Sequence, residues 1–405
     1  MRFGMLSEHF VGAVAKQLTL VETITDQSNQ HEFQGIQPFR ALLGLEDRRR
    51  IPTRFIRLDD ESPPLSQEGF LSWSNVRKGK PRAAEYHLYY STNAVTEVMA
   101  IDDLMILALR ADGRLLCLIT PPHTSTASQL LWLFGLEAPT GRSVTVSHLQ
   151  EGHDTALGFA ARQILEQLEI EVDEPQDDHL DALIEPFGTT FPKTKVFSDL
   201  ARTSLPEVSA ADDADLALSL WIEREEQLFR RLERRIVAQR IEQGFLTNAG
   251  TDVDGFIGFS LSVQNRRKSR VGHALENHLE AVFQAQGLAF ARGAMTENRN
   301  RPDFLFPGPV QYADSTFPAE RLTMLGAKST LKDRWRQVLS EAERIPNKHL
   351  LTLEPSISEN QTDEMQAKHL QLVVPRLLHE TFKPKQQAWL MDINAFTEMV
   401  RQRCG

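Results

Sequence analysis

The arrangement of apolar and polar positions predicts a strand-rich region followed by a region with long helices. Short apolar runs bounded by turn residues predict strands over 86–90, 104–110, 115–119 and 143–146. Apolar residues at helical spacing predict helices over 125–134 and 154–168. We therefore expect residues 1–175 to form one mixed, β-rich N-terminal domain.

A change of composition marks the end of that domain. Residues 174–213 are rich in proline and acidic residues, as in EPQDD and SLPEVSAADDAD, which predicts a linker over 176–212 that touches both domains. An amphipathic helix is expected from about 213 to 243. Its apolar stripe is Leu220, Trp221, Leu228, Phe229, Leu232, Ile236 and Val237. Residues 213–405 are therefore predicted to form a second, C-terminal domain.

Length and composition are those of an ordinary globular protein. The chain has 405 residues, 41% of them hydrophobic and 25% charged, and this length favours two domains. The net charge of −10 does not itself indicate a nucleic-acid partner, but local fields decide docking. The start, MRFGMLSEHF, lacks the apolar core of a signal peptide, and no stretch has the length of a transmembrane helix. The two cysteines, Cys117 and Cys404, build neither a disulfide framework nor a zinc site, which favours a cytoplasmic location without a membrane partner.

The candidate chemistry lies in RPDFLFP (301–307) and LGAKSTLKDRWRQVLSEAE (325–343). Asp303 is expected to open a short strand, and a second strand over 322–327 is expected to deliver Lys328. A carboxylate at this position holds a hard cation such as Mg²⁺, which polarises a phosphoryl oxygen and lowers the pKa of a bound water. A lysine beside it stabilises the developing charge. This is the layout of a magnesium nuclease site of the PD-(D/E)xK type.

The acid that such a site usually carries two residues before the lysine is missing, because position 326 is glycine. Two residues are candidates for its replacement. Glu341 lies after Lys328, on a helix expected over 331–344. Glu276 lies at the edge of the apolar stripe of a helix expected over 272–287. The sequence leaves open which of these carboxylates binds the metal together with Asp303.

Four segments carry a resemblance to a known family: SVQNRRKSRVGHALENHLEAVF, ENRNRPDFLFPG, LGAKSTLKDRWRQVLSEAERI and LQLVVP. Together they closely resemble the C-terminal catalytic domain of the EcoRII family of type II restriction endonucleases, over about 215–382. The resemblance implies an α/β (α+β) two-domain protein with a PD-(D/E)xK restriction-endonuclease-like fold, a mixed sheet flanked by helices. Its implied catalytic residues are Glu276, Asp303, Lys328, Glu341 and Tyr312, and Mg²⁺ would be held by Asp303, Glu341 and Glu276.

The resemblance also implies that Lys332, Asp333 and Arg334 read the C·G pairs of the target. The chemistry of these side chains fits the reading of C·G pairs, because a guanidinium bonds two guanine acceptors at once and an aspartate accepts from the cytosine amino group. The alternative is an exposed helix start with a favourable acid in its first turn. Trp335 beside them is expected to be a packing anchor.

Two basic clusters are candidate phosphate contacts. NRRKSR at 265–270 precedes the Glu276 helix, and its Arg266, Arg267 and Lys268 are expected to clamp the duplex without reading sequence. RKGKPR at 77–82 has the composition of a DNA-facing loop. Its expected contacts are Arg77, Lys78 and Lys80. For both clusters the alternative is a solvated charge run.

The same resemblance implies a fold and a role for the N-terminal domain. Family members of this length carry an N-terminal DNA-binding pseudobarrel, which binds a second copy of the site and releases autoinhibition of the nuclease. AEYHLYYSTN (84–93) and LMILALRADGRLLCLIT (104–120) resemble the start of that domain. We therefore expect an effector domain within residues 1–175.

The sequence thus predicts a Mg²⁺-dependent type II restriction endonuclease that cuts both strands of DNA. Its short palindromic site would contain CC and GG, as in CCWGG or CCNGG, and a palindrome calls for a homodimer. A cognate DNA methyltransferase is the expected functional partner. One alternative is a monomeric nicking or repair endonuclease. Another is a catalytically inactive DNA-binding regulator.

Overall fold

The structure is a computed structural model that describes residues 6–23, 31–34, 36–79, 81–139, 144–148, 158–170, 178–247, 250–331 and 334–404. The chain divides into two compact units. The first comprises residues 1–173 and 356–361, and the second comprises residues 174–355 and 362–405. The main boundary therefore lies two residues before the expected end of the N-terminal domain.

The described part of the first unit is built on an eight-stranded sheet. Its strands are β1 Phe10–Gln17, β2 Glu32–Phe33, β3 Arg48–Arg57, β4 Leu65–Asn75, β5 Tyr86–Tyr90, β6 Leu104–Arg110, β7 Leu115–Thr120 and β8 Val144–His148. Its helices are α1 Leu20–Thr23, α2 Ile36–Leu43, α3 Ala94–Glu97, α4 Ser125–Leu133 and α5 Phe159–Gln167. The strand order is β2-β5-β4-β3-β7-β6-β1-β8, and β3 pairs with β7 in parallel whereas the other neighbours are antiparallel.

The centre of this sheet is buried on both faces. Alternate residues of β6 and β7 enter two separate cores, one that includes Ile106 and Leu118 and one that includes Leu107 and Cys117. A strand that is covered on both sides reads as a continuous apolar run, which explains why LMILALR and LLCLIT predict strands so clearly. The predicted mixed, β-rich character of this domain is confirmed. Cys117 is fully buried, as expected, and burial raises the pKa of its thiol.

The second unit combines long helices with a five-stranded mixed sheet. Its described strands are β9 Leu246–Thr247, β10 Gly250–Thr251, β11 Ala291–Arg292, β12 Phe304–Phe306, β13 Thr323–Lys328, β14 Lys348–Thr352 and β15 Leu370–Val373. Its described helices are α6 Asp178–Ile184, α7 Thr194–Thr203, α8 Ala214–Gln243, α9 Val253–Ala285, α10 Pro309–Ala313, α11 Trp335–Val338, α12 Glu359–Ala367, α13 Pro384–Gln387 and α14 Ile393–Cys404. The first residues of α12 group with the first unit.

The order of the five-stranded sheet is β11-β12-β13-β14-β15. Strands β11, β12 and β13 pair antiparallel, and β13, β14 and β15 pair parallel. Aromatic rings pack between this sheet and the helices, with Phe283 of α9 in edge contact with Phe304 and Phe306 and in tilted contact with Phe396 of α14. The predicted mixed sheet flanked by helices is confirmed.

The segment that was expected to be a linker is largely helical. Helices α6 and α7 lie within 176–212, and their apolar residues share a core with α8 that includes Leu180, Phe197 and Phe229. The proline and acidic content of this segment does not reveal the buried faces of these helices. The start of α8 is close to the prediction, because the Asp213 side chain accepts hydrogen bonds from Asp215 N and Leu216 N and caps the helix.

Helix α9 is longer than the expected helix over 272–287. It begins at Val253, where the Asp252 side chain caps Gly255 N at 2.9 Å, and it includes the whole basic segment 265–270. That segment therefore lies inside the helix and does not precede it. Within the described ranges, no helix combines the length and the apolar content needed to cross a membrane.

Candidate active site

The pairing of β12 with β13 brings Asp303 and Lys328 together. Phe304 pairs with Leu325, so Asp303, which directly precedes β12, lies beside the end of β13. Its Oδ2 accepts hydrogen bonds from Lys328 Nζ at 2.7 Å and from Ala327 N at 2.7 Å. Both side chains are partly exposed. The two residues that the sequence motif singles out therefore form one charged pair at a strand end.

The structure explains why the usual acid is absent from position 326. Gly326 and Lys328 point to the same face of β13 because side chains alternate along a strand. A Cβ on Gly326 would lie 2.9 Å from Val338 Cγ2, 3.3 Å from Val338 Cγ1 and 3.4 Å from Leu350 Cδ1. Helix α11 thus fills the space that a carboxylate would need. A replacement acid has to come from another segment.

Glu341 comes from the turn that follows α11. The helix expected over 331–344 is wrong in its extent, because α11 ends at Val338 and Ala342 adopts a left-handed backbone conformation with φ 49°. Lys348 Nζ donates to the carbonyls of Ala342 at 3.2 Å and Ile345 at 2.8 Å, and it is 7% exposed. A buried ammonium therefore replaces the backbone amides that would continue a helix, and it fixes the turn that carries Glu341.

The Glu341 carboxylate lies in the field of the Asp303–Lys328 pair. Burial raises the pKa of Glu341 to about 7, and the negative charge of Asp303 adds to this effect, whereas Lys328 and Lys348 oppose it. Glu341 Oε2 is buried and has no hydrogen-bond partner among the described residues. A buried carboxylate oxygen without a donor is a site where a cation would be stabilised.

Glu276, the other candidate, is ion-paired with an arginine. Its Oε2 accepts from Arg292 Nη2 at 2.7 Å and from Arg292 Nε at 3.2 Å, and Arg292 also binds Glu280 at 3.0 Å. The charged groups that shift the pKa of Glu341 are Asp303, Lys328 and Lys348, and Glu276 is not one of them. Glu276 is thus ion-paired with Arg292, whereas Glu341 Oε2 has no partner in the described ranges.

Tyr312 stabilises the turn that carries Glu341 through contacts with the backbone that follows it. Its hydroxyl donates to Glu297 Oε2, and Glu343 N donates to the same carboxylate oxygen at 3.3 Å. Arg344 N in turn donates to the Tyr312 hydroxyl at 3.3 Å. Burial raises the pKa of this phenol, so it stays protonated. These contacts give Tyr312 a positioning function, because it holds the backbone just beyond Glu341.

The donor set fits a divalent cation. Mg²⁺ is usually bound by one or two carboxylates together with waters and substrate phosphates. Asp303 and Glu341 supply two carboxylates, and the orphaned Glu341 Oε2 lacks only a positive partner. No cluster of three or more His, Cys, Asp or Glu side chains that could hold a metal occurs in the described part of the chain.

The expected base-reading residues follow Lys328. Lys332 and Asp333 lie outside the described residues. Arg334 is exposed at the start of α11, and its side chain has no ion-pair partner in the described ranges. Trp335 is fully buried, which confirms that it is a packing anchor.

The expected clamp at 265–270 is partly engaged within the protein. Arg267 Nε donates to Glu233 Oε2 of α8 at 2.6 Å, and that carboxylate is 3% exposed. The Arg266 guanidinium lies 4.6 Å from the centre of the Phe191 ring, and Lys268 is exposed. Removal of Arg267 would leave a buried carboxylate unpaired, so this arginine joins two helices. The sequence shows four adjacent cations but does not show that their partners lie on another helix.

The basic loop of the first unit is similarly paired. Arg77 forms an ion pair with Glu85, and Lys78 Nζ binds Asp47 Oδ2 at 2.9 Å. Lys80 lies outside the described residues. Because acidic partners accompany Arg77 and Lys78, these two side chains add less positive charge than the sequence indicates, and the contact of the loop with DNA stays a prediction.

Part of the second unit is similar to known proteins. Residues 229–397 match the family model described as "EcoRII C terminal". The chain is 45% identical over 173 residues to "Type II restriction enzyme EcoRII" of Escherichia coli, which covers 42% of this chain and 42% of that protein. It is 31% identical over 137 residues to "Type II restriction enzyme SsoII" of Shigella sonnei, which covers 31% of this chain and 43% of that protein. The chain therefore spans less than half of each of these relatives.

Two solved structures show a weaker similarity. "Metal-depleted Ecl18kI in complex with uncleaved, modified DNA" is 18% identical with a TM-score of 0.43, over 56% of this chain and 83% of that chain. "Restriction endonuclease PspGI-substrate DNA complex" is 14% identical with a TM-score of 0.43, over 58% of this chain and 98% of that chain. A similarity at this level does not by itself establish a shared fold.

Proposed function

We propose that this chain, whose C-terminal region belongs to the EcoRII family, is a type II restriction endonuclease. It would hydrolyse both strands of duplex DNA in the presence of Mg²⁺, at a short palindromic site that contains CC and GG. The observation that carries the proposal is the convergence of Asp303, Lys328 and Glu341 at one strand end. These are the groups that phosphodiester hydrolysis requires, and the matched family model covers all three.

Asp303 and Glu341 would hold the cation, which supplies Lewis acidity to the phosphoryl oxygen and lowers the pKa of a bound water. Lys328 Nζ, held by Asp303 at 2.7 Å, places a positive charge where negative charge develops on the phosphate. Its bond to Asp303 and the backbone bond from Ala327 keep the carboxylate in one orientation before substrate arrives. The Lys348 contacts keep Glu341 in the turn beside this pair.

Digestion of one sequenced plasmid tests the proposal. We expect Mg²⁺-dependent double-strand breaks with 5′-phosphate ends, all at one recurring sequence with CC and GG. Nicks at one strand only would favour the monomeric nicking or repair enzyme. Specific binding without any cleavage would favour the inactive regulator. Breaks at unrelated sequences would contradict the restriction assignment.

Arg334 is the described residue best placed to read the site. It is exposed, without an ion-pair partner in the described ranges, and it follows Lys328 within the same strand-to-helix connection. We expect Arg334→Ala to lose about 1–3 kcal/mol of discrimination at one G·C position, the usual worth of a bidentate contact. Binding to cognate and scrambled duplexes at several salt concentrations measures this loss. Arg336→Ala is the matched control, because Arg336 is paired with Glu364. Equal losses of binding affinity for both duplexes in Arg334→Ala would contradict a role of Arg334 in base recognition.

A palindromic site requires two-fold symmetry, so we propose that the enzyme acts as a homodimer. A restriction activity of this kind also requires that host DNA be protected, and a cognate methyltransferase is the expected functional partner.

We further propose that the first unit inhibits the nuclease until it binds a second copy of the site. A fragment that tests this should begin at Glu174, because α6 and α7 share a core with α8 and a start near residue 210 would expose it. We expect the fragment to cleave single-site DNA faster than the whole chain. A short duplex that carries the site should stimulate only the whole chain. A slower fragment and no stimulation would mean that the first unit adds affinity and does not inhibit.

A further inference from the structure

The second unit contains a pocket of about 280 Å³ that lies apart from the candidate active site. Residues at the N-terminal ends of β14 and β15 line it together with residues of the C-terminal segment. The lining includes His349, His369, Gln371, Trp389, Met391 and Arg403. Lys328 pairs with Thr352 whereas His349 pairs with Leu325, so the pocket lies three residues, roughly 10 Å, back along the strands. It is therefore separate from the groups that would act on the phosphodiester.

His349 provides the pocket with a buried hydrogen-bond acceptor. The side chain is 3% exposed, and Nδ1 is buried without a partner in the described ranges. Burial lowers the pKa of His349 to about 4, and the nearby positive charge of Arg403 lowers it further, so the ring is neutral. A neutral imidazole has one ring nitrogen that accepts a hydrogen bond, and the unpartnered Nδ1 is available for that role.

The charge of the pocket favours an anionic ligand. Arg403 is its cation, and its Nη1 donates to Thr323 Oγ1 at 3.2 Å, which fixes the guanidinium at the start of β13. The lining contains no aspartate or glutamate. A phosphate or carboxylate would thus meet a positive charge without a competing carboxylate in the same wall.

The remaining wall is mixed, because polar Asn347, Gln366 and His369 lie beside its apolar residues. Trp389 supplies an aromatic ring, and Met391 and Met399 supply thioethers, which pack well against aromatic ligands. The Gln371 side chain donates to the carbonyl of Trp389 at 2.8 Å and so ties this segment to β15. A planar ring with an N–H donor satisfies both the wall and His349.

We propose that this pocket is a second ligand site that binds a nucleoside monophosphate unit. The base would lie against Trp389 and the methionines with an N–H directed to His349 Nδ1, and the phosphate would contact Arg403. Such a unit occurs in a free mononucleotide and in a DNA strand, and the chemistry of recognition is the same for both. The pocket volume is near the lower limit for small-molecule sites, which fits one base-sized group.

Calorimetry and saturation-transfer NMR on the whole chain test the proposal, with AMP, GMP, CMP and TMP as probes. EDTA is present throughout, so that no metal at Asp303 and Glu341 binds the phosphate. We expect saturable binding of at least one mononucleotide. Arg403→Met should weaken it about tenfold or more, the usual loss when a charged hydrogen bond is removed. Arg401→Met, on the same helix but paired with Glu398, should leave the affinity unchanged.

Two further variants separate this site from other sites. His349→Phe keeps a ring against Phe396 but removes the acceptor, and it should also weaken binding. Asp303→Asn should not, because the two sites are distinct. Binding of a single-stranded oligonucleotide is measured in the same way. If the oligonucleotide binds in an Arg403-dependent way and mononucleotides do not, the nucleotide unit comes from DNA. If neither probe binds saturably, or if Arg403→Met and His349→Phe both bind as the wild type does, the proposal is overturned.

Discussion

The Lys328→Met variant is expected to cleave site-containing DNA at least about a hundredfold more slowly than the wild type, the usual loss when one preorganised charge donor is removed. The substitution keeps the apolar stem of the side chain but removes the ammonium that lies 2.7 Å from Asp303 Oδ2. Asp303→Asn should cause a comparable loss, because the amide keeps the shape of the side chain but not the charge that holds a cation.

Specific DNA binding should survive in both variants, since these groups act on the phosphate and not on base edges. Single-turnover cleavage and binding measured on the same duplex separate the two effects. Lys385→Met is the matched control, because Lys385 also forms an ion pair with an aspartate, Asp363, but at an exposed position. Cleavage within tenfold of the wild type for Lys328→Met would refute the assignment of the site.

Glu341→Gln is expected to abolish cleavage, and the wild type is expected to need more Mg²⁺ as the pH falls below neutrality. In the wild type, burial raises the pKa of Glu341 to about 7, so the carboxyl is largely protonated below that pH and must lose its proton to bind a cation. The Mg²⁺ concentration for half-maximal cleavage should therefore rise by about tenfold for each pH unit below 7 and become constant above it. The amide of the variant has no proton to lose and no charge to attract the cation.

Mg²⁺ titrations of single-turnover cleavage between pH 5.5 and 8.5, roughly the range that brackets this pKa, measure the effect. Glu343→Gln is the matched control, because Glu343 is an exposed neighbour that accepts a hydrogen bond from Asn298 and is remote from the Asp303–Lys328 pair in its contacts. A Mg²⁺ requirement that does not vary with pH in the wild type, or a normal rate for Glu341→Gln, would show that another acid completes the site.

The sequence predicts the pairing of Asp303 with Lys328 because the local pattern of each strand positions its own residue. Asp303 and Lys328 each lie at the end of a short apolar strand, and antiparallel pairing of these strands suffices to bring them together. Strands β6 and β7 behave in the same way, because their apolar runs are buried on both faces. In these elements the local pattern and the tertiary environment agree.

The sequence fails where a distant contact decides the local conformation. A helical pattern continues past Val338, but Lys348 binds the carbonyls beyond Glu341 and Ala342 turns away from the helix. The segment 265–270 reads as a free basic cluster, but Glu233 of another helix binds Arg267. The pocket around His349 is assembled from separate segments. The sequence of each segment alone does not indicate its distant partner.

The choice between Glu341 and Glu276 shows the same limit. Both lie at plausible positions in the sequence, and only the tertiary structure shows that Arg292 neutralises Glu276 whereas Glu341 Oε2 stays without a partner in the described ranges. The missing acid at Gly326 is visible in the sequence. Its cause, the packing of Val338 over that position, is visible only in the structure.

The most direct measurement is the anomalous scattering of crystals soaked in Mn²⁺, a stand-in for Mg²⁺ with similar preferences for oxygen ligands. The account predicts one strong peak between the carboxylates of Asp303 and Glu341, within coordination distance of both, and the loss of this peak in Glu341→Gln crystals. A peak that joins Asp303 to Glu276, or no peak at the Asp303 carboxylate, would contradict it.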